Sequence, residues 1–217
     1  MPTFYVDLDN TLADRNAAFR GWAVDYLAER GADPGLIDAM VAADREGLGR
    51  KQDTIDDITA LLDLDEATSA GVLAAFRAGI VERLGLVEGA ERALRRLRDA
   101  GWPIVIVSNG TAQQQTAKIE RLGLAPLVDA WVISGAEGVE KPDPALFRIA
   151  AERVGRPLSS DDWMVGDSAE SDVAGARAAG IGQIWFGRGR SWTSTVEPPT
   201  AIARDWDEVV ATVLGAS

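Results

Sequence analysis

Two residue types are absent from this 217-residue chain, which contains no cysteine and no histidine. The lack of cysteine excludes disulfides, a thiolate nucleophile and zinc sites with sulfur ligands. The lack of histidine excludes a Ser-His-Asp triad, a histidine general base and imidazole-ligated metals. Any catalysis must therefore use carboxylates, hydroxyls, amides, lysine or arginine, and any bound metal must be a hard cation with oxygen ligands, such as Mg²⁺.

Positive charge is also scarce: the formal net charge is -12, and the only lysines are Lys51, Lys118 and Lys141. This balance disfavours nucleic acid as a partner, because its phosphate backbone would be repelled. No apolar run approaches the length of a membrane helix. The first strand begins almost at Met1, which leaves no room for a signal peptide. We therefore expect a cytoplasmic protein that binds neither nucleic acid nor membrane.

The hydrophobic pattern changes along the chain. After Gly89, short apolar runs alternate with helical periodicity, which predicts a parallel sheet with helices on both faces. Residues 14–86 show helical periodicity and no convincing strand. We therefore predict an α/β fold with a Rossmann-like core of residues 1–13 and 87–217 and an inserted all-helical domain of residues 14–86. The predicted strands are Thr3–Val6, Ile104–Val107, Ala130–Ile133, Asp162–Val165 and Gln183–Phe186, followed by an irregular loop over Gly187–Pro199 and a helix over Trp206–Leu214.

Polar side chains follow four of the predicted strands. Asp7 and Asp9 follow the first, and Ser108 follows the second. Lys141 lies in the loop after the third, and Asp167 follows the fourth. Because the carboxyl ends of parallel strands meet at one edge of a sheet, we expect one crevice to gather these side chains. Alone, the first two acids are as typical of structural residues at strand ends and helix caps as of a functional site, but the whole set favours phosphoryl transfer through an aspartyl intermediate.

Charge suggests a role for each of these residues. Asp7 would be the nucleophile, and a divalent cation bound by Asp7, Asp167 and the backbone carbonyl of Asp9 would lower the repulsion between carboxylate and phosphate. Lys141 would offset the remaining oxygen charge, while Ser108 and the amides that open the next helix would hold phosphate oxygens. Asp9 would protonate the leaving alkoxide and then activate water.

These residues resemble, in order, the four motifs of the haloacid dehalogenase superfamily of hydrolases. The matching segments are Asp7-Leu8-Asp9-Asn10-Thr11 for D-x-D-x-T, Ser108-Asn109-Gly110 for the second motif, Lys141-Pro142-Asp143-Pro144 for K-P-D-P, and Gly166-Asp167-Ser168 with Asp172 for G-D-S-x-x-x-D. The resemblance covers nearly the whole chain. It implies Mg²⁺ as cofactor, phosphate binding by Asn109, supporting roles for Thr11 and Asp172, and a small mobile cap formed by the helical insertion. Asp172 is also typical of a simple cap on the following helix.

Basic residues of the insertion are candidates for substrate specificity, although loop charges commonly face only solvent. These candidates are Arg15, Arg45, Arg50 and Lys51. The segment Gly47–Arg50 is similar to the G-x-x-R cap loop of the family's sugar phosphomutases. Glu46, however, stands where those enzymes carry lysine.

We therefore predict an Mg²⁺-dependent phosphatase, similar to phosphoglycolate phosphatases or small-cap nucleotidases. It would act on a small phosphorylated metabolite and exist as a monomer or homodimer. The family's dehalogenases lack the second aspartate of the first motif, so the resemblance, with Asp9 present, implies that dehalogenation is disfavoured. The family's β-phosphoglucomutases use a cap histidine, so its absence favours hydrolysis over mutase chemistry. A sugar phosphomutase, a nucleotidase and a non-catalytic phosphate-binding module are the alternatives.

Overall fold

The structure is a computed structural model that describes residues 1–215, apart from the side chains of residues 66–70. The chain forms two compact units. One combines Met1–Ala13 with Leu86–Ser217, and the other is Asp14–Gly85. The first unit contains the sheet, and the second consists of helices and turns.

The sheet has six parallel strands in the order β3-β2-β1-β4-β5-β6. Along the chain, the strands are β1 (Phe4–Val6), β2 (Ile104–Ser108), β3 (Ala130–Ile133), β4 (Trp163–Gly166), β5 (Gly182–Phe186) and β6 (Ala201–Ala203). The first strand lies in the middle of the sheet, with β2 on one side and β4 on the other. This arrangement confirms the predicted α/β class with a Rossmann-like parallel sheet.

The central strand is buried on both of its faces. Tyr5 packs edge-on against Phe147, with ring centroids 6.0 Å apart. Phe4 and Val6 point to the opposite face and are also fully buried. A short continuous apolar run is the expected sequence for such a strand, because neither face meets water.

In this unit helices precede β2, β3, β4 and β5, and another helix follows β6. They are α5 (Ala90–Asp99), α6 (Ala112–Arg121), α7 (Ser134–Glu137), α8 (Ala145–Arg153), α9 (Ala174–Ala179) and α10 (Trp206–Gly215). A π-helical turn over Ala169–Val173 precedes α9. Two of these features differ from the sequence prediction: α7 forms in the loop predicted after the third strand, and Asp172, suggested as a cap on a helix, lies inside the π-helical turn.

The predicted strand at Gln183–Phe186 is confirmed as β5, but the sheet contains one further strand, β6, that the sequence did not predict. β6 pairs in parallel with β5, from Ile184 opposite Ala201 to Phe186 opposite Ala203. With three residues, of which Ile202 is largely exposed, β6 is too short to show a periodic hydrophobic pattern.

The second unit is built on four helices. They are α1 (Arg15–Glu29), α2 (Ile37–Asp44), α3 (Lys51–Leu61) and α4 (Glu66–Arg83), with 3₁₀ turns at Pro34–Leu36 and Arg45–Gly47. Asp14 caps α1 by accepting a hydrogen bond from the Ala17 amide at 3.3 Å. Phe19, Trp22 and Phe76 pack together inside the unit. Among the described residues, no helix has both the length and the apolar character needed to cross a membrane.

Candidate active site

The first site residue is placed by the central strand. Asp7 directly follows β1, and its amide donates to the Val165 carbonyl at 3.0 Å, which extends the pairing with β4. The chain then turns through Asn10, whose φ of 59° is left-handed, a conformation that asparagine tolerates better than most residues. The Asp7 side chain is buried although it carries a carboxylate.

Lys141 links Asp7, which follows β1, to the neighbouring strand β2 and to Asp172. Its Nζ lies 2.7 Å from Asp7 Oδ1, 2.6 Å from the Val107 carbonyl oxygen and 2.7 Å from Asp172 Oδ1. The three N–H bonds of the ammonium thus have three acceptors. Burial lowers the pKa of Lys141, but the Asp172 and Asp7 carboxylates raise it, and the net pKa lies above the ordinary value. Lys141 is therefore a fixed positive charge beside Asp7.

Negative charge nevertheless exceeds positive charge in this cluster. Ligand oxygens of Asp7, Asp167 and Asp172 lie within 4.8 Å of one another. Burial raises the pKa of Asp7 to about 7, with Asp172 adding to the rise and Lys141 opposing it. Burial, and then the charges of Asp7 and Asp172, also raise the pKa of Asp167 well above its ordinary value. Protein charges alone do not balance these acids, so the site favours a bound cation.

The donor atoms in the cluster fit a hard divalent cation. All of them are carboxylate oxygens, the ligands that Mg²⁺ prefers. Within the described part of the chain, Asp167 Oδ2 is buried without a hydrogen-bond partner, and it lies 4.0 Å from Arg190 Nη2. A buried carboxylate oxygen without a partner is unfavourable unless a cation is bound there. Residues 7 and 167 are therefore suited to hold Mg²⁺.

Asp172 lies in the cluster as a structural partner of Lys141. Its other carboxylate oxygen accepts a hydrogen bond from the Ser168 amide at 3.0 Å. The carboxylate occupies space beside Gly166, where an added Cβ would lie 2.2 Å from Asp172 Cγ. The sequence pattern G-D-S-x-x-x-D thus has a steric reason: the glycine leaves room for the second aspartate, which anchors the lysine.

Asn109 uses its side chain to hold the main chain of Lys141. Its Nδ2 donates to the Lys141 carbonyl at 2.9 Å, and its Oδ1 accepts from the Lys141 amide at 2.9 Å. Both polar groups of the carboxamide are thereby engaged. The sequence suggested that this side chain binds phosphate, but the contacts favour a role in positioning the lysine loop.

Two residues that the sequence prediction did not include lie at the edge of the site. Lys118 Nζ donates to both carboxylate oxygens of Asp9, at 2.7 and 2.6 Å. Gln115 Nε2 donates to Asp9 Oδ2 at 3.0 Å and to Ser108 Oγ at 2.7 Å. Because Ser108 accepts that bond, its own hydroxyl hydrogen can be directed at a phosphate oxygen. The unusual use of lysine in an arginine-rich chain was the one sequence signal for residue 118.

Thr11 is fully buried just after Asp9. Among the described residues, its Oγ1 is a buried oxygen without a hydrogen-bond partner.

The structure brings six predicted site residues together around the end of β1 and the neighbouring strands. They are Asp7, Asp9, Ser108, Lys141, Asp167 and Asp172.

The basic candidates of the helical unit have different environments within that unit. Arg15 is buried, and its guanidinium forms two hydrogen bonds with the Asp44 carboxylate, so these contacts favour a structural role over a substrate contact. Arg45 pairs with Asp57 at 2.6 Å. Lys51 Nζ donates to the Gly47 carbonyl at 3.1 Å. Arg50 is exposed where α3 begins.

A parallel α/β sheet with aspartates and a buried lysine at the carboxyl ends of its central strands defines a class of hydrolases. Residues 1–180 match the family model described as haloacid dehalogenase-like hydrolase, and the chain belongs to this family. The motif resemblance seen in the sequence is thus confirmed at the level of the family.

Two proteins of named activity are similar to this chain in sequence. It is 38% identical over 112 residues to ribulose-1,5-bisphosphate 5-phosphatase of Halopiger xanaduensis, covering 52% of this chain and 46% of that protein. It is 36% identical over 132 residues to pyrimidine 5'-nucleotidase YjjG of Escherichia coli, covering 61% of this chain and 56% of that protein. The chain thus spans about half the length of the curated relatives it matches.

A solved structure matches over almost the full length. The HAD-hydrolase YfnB of Bacillus subtilis, bound to magnesium, superposes with a TM-score of 0.83 at 22% identity, covering 98% of both chains. At this identity the similarity establishes the fold.

Proposed function

We propose that this protein is an Mg²⁺-dependent phosphatase that hydrolyses a small phosphomonoester through an aspartyl-phosphate on Asp7. The observation that carries the proposal is the buried cluster in which Asp7 lies beside Lys141, at 2.7 Å, and within 4.8 Å of Asp167 and Asp172. A buried excess of carboxylates destabilises a fold unless a cation binds there. Family membership and the phosphatase and nucleotidase names of the relatives support the same chemistry.

The proposed metal site uses Asp7, Asp167 and the backbone carbonyl of Asp9. When bound, the cation would reduce the repulsion between the Asp7 carboxylate and the phosphate dianion. Lys141 offsets negative charge on the transferring group, and Ser108 donates its hydroxyl hydrogen to a phosphate oxygen.

Two half-reactions complete the cycle. In the first, an Asp7 oxygen attacks phosphorus, the bond to the ester oxygen breaks, and Asp9 gives a proton to the leaving alkoxide. In the second, the Asp9 carboxylate takes a proton from water, and the water oxygen attacks phosphorus. The bond between phosphorus and Asp7 then breaks and releases inorganic phosphate. The chain's carboxylates thus serve as nucleophile and as acid-base group without histidine or cysteine.

We further propose that the helical unit acts as a cap that selects the substrate. The support is its position in the chain, between the first two site motifs, and the exposed Arg50. Arg50→Met should raise KM more than it lowers kcat if this residue binds the substrate. Arg20, which is exposed in the same unit, provides the matched control Arg20→Met.

We also expect a cytoplasmic monomer or homodimer, and size-exclusion chromatography with light scattering distinguishes the two oligomeric states.

The deciding experiment is a phosphate-release screen with Mg²⁺ across sugar phosphates, phosphoglycolate and nucleoside monophosphates. The screen is run with the wild type, Asp7→Asn and the control Asp161→Asn. Asp161 is exposed just before β4, at the amino end of that strand, whereas the site lies at the carboxyl ends of the strands. We expect release by the wild type and the control and none by Asp7→Asn. Full activity of Asp7→Asn would remove the nucleophile assignment, and silence of the folded wild type across the panel would favour the phosphate-binding alternative.

A further inference from the structure

Helix α6 presents two buried polar side chains to the same place. Gln115 and Lys118 are three residues apart, so they lie on one face of the helix. Both are almost completely buried, at 2% and 3% exposure. Lysine is rarely buried to this extent unless it is paired. The pairing of Lys118 therefore calls for an explanation.

The charge of Lys118 is directed at a single carboxylate. Its Nζ lies 2.7 Å from Asp9 Oδ1 and 2.6 Å from Asp9 Oδ2. Gln115 adds a third hydrogen bond, at 3.0 Å to Asp9 Oδ2. The Asp9 side chain keeps 27% of its surface exposed, so part of it stays accessible despite these contacts.

These contacts restrain the residue to which the proposed function gives the proton transfers. A carboxylate on a loop samples several rotamers, and a proton-transfer group works only within hydrogen-bond reach of its target. In the structure both Asp9 oxygens accept hydrogen bonds, as the carboxylate form does. The carboxylate is the form of Asp9 that takes a proton from water in the second half-reaction. The contacts thus place Asp9 in a state that is useful for one defined step.

We propose that Lys118 is a positioning residue that acts through Asp9, an inference that rests on the proposed function. Lys118 fixes the Asp9 carboxylate, and Gln115 links Asp9 to Ser108 so that the acid-base group and the phosphate-binding hydroxyl keep a constant separation. Lys118 itself does not touch the substrate. This role differs from that of Lys141, whose ammonium lies beside the nucleophile.

The test is a double-mutant cycle with Lys118→Met and Asp9→Ala, assayed by hydrolysis of 4-nitrophenyl phosphate with Mg²⁺. In the wild-type background, Lys118→Met should lower kcat by about 10- to 100-fold with little change in KM, as loss of a supporting residue typically does. In the Asp9→Ala background, the same substitution should have almost no further effect on kcat. Arg121→Met removes an exposed positive charge from the same helix and should leave kcat unchanged.

Two kinetic results would overturn the inference. An unchanged kcat for Lys118→Met removes the positioning role. An equal loss of activity in the two backgrounds means that Lys118 acts on the substrate or on folding, not through Asp9.

A second readout does not depend on activity. The shifts of the urea midpoint caused by Lys118→Met and Asp9→Ala should be non-additive, because the two side chains form one pair. Additive shifts would mean that the pair is absent in solution. If the wild type releases no phosphate, the proposed function fails and the catalytic role of Lys118 fails with it, while the unfolding cycle still decides whether the pair exists.

Discussion

Asp7→Asn should make the metal-free protein more stable while it abolishes turnover. Asp7 shares a buried cluster with Asp167 and Asp172, and Lys141 supplies one positive charge among the three acids. The substitution keeps the shape of the side chain and an acceptor oxygen for Lys141, but it removes one buried negative charge. Because Asp172 still pairs with Lys141, the lysine is not left without a counterion.

The size of the effect follows from the raised pKa of Asp7. Burial is the main cause, and it raises this pKa to about 7, compared with about 4 for an aspartate in an unfolded chain. Each pKa unit corresponds to about 1.4 kcal/mol, so ionised Asp7 lowers the free energy of unfolding by up to about 4 kcal/mol. Since the neutral carboxamide of the variant forms a weaker hydrogen bond with Lys141 than the carboxylate does, we expect a net gain of about 1–3 kcal/mol.

The assay is thermal unfolding followed by circular dichroism in EDTA between pH 5.5 and pH 8, with Asp161→Asn as the control. The raised pKa of Asp7 gives a stability contribution that is fully present below the unfolded pKa and is lost as the pH rises through about 7. The advantage of Asp7→Asn should therefore grow from pH 5.5 to pH 8. Mg²⁺ should stabilise the wild type more than the variant and so reduce the difference. A variant that is no more stable than the wild type at pH 8 in EDTA would refute the reasoning.

Three further results are expected. Chelation by EDTA should stop phosphate release, and added Mg²⁺ should restore it; activity that responds to neither addition would contradict the metal assignment. Asp167→Asn should weaken Mg²⁺ binding measured by calorimetry. Arg15→Met leaves a buried carboxylate unpaired and should destabilise the helical unit by about 3–5 kcal/mol, while Arg20→Met, at an exposed pair, should change stability by less than about 1 kcal/mol. Hydrogen exchange over residues 14–85 measures both changes, and equal effects of the two substitutions would exclude the buried pair. Gly166→Ala places a Cβ within 2.2 Å of Asp172 and should lower the unfolding free energy by about 1–3 kcal/mol in a urea titration, which an unchanged midpoint would contradict.

The fold was predictable where a hydrophobic pattern was long enough to be read. β2 is buried throughout, and its apolar run Ile104–Val107 is what burial on both faces of a sheet requires. β6 was missed because Ala201–Ala203 is only three residues long and pairs at the sheet edge, where a strand has a single neighbour. Its position depends on β5 and not on its own sequence.

The candidate site was predictable to the extent that strand ends determine it. Asp7 and Asp167 follow neighbouring strands, so the sheet alone brings them together. The contacts of Asn109 and Gln115 depend on how a loop and a helix pack beside those strands, which sequence spacing does not reveal. For the same reason, the sequence could not distinguish a substrate contact for Arg15 from its buried pairing with another residue.

The choice of lysine at position 141 has a physical explanation. An ammonium is a compact charge with three donors, and at Lys141 those donors meet three acceptors that converge on one point. A guanidinium is planar and broader, and it prefers to meet a single carboxylate with two parallel bonds, as Arg15 does with Asp44. Lys118 lies at the same site as Lys141, since both are buried against aspartates that follow β1.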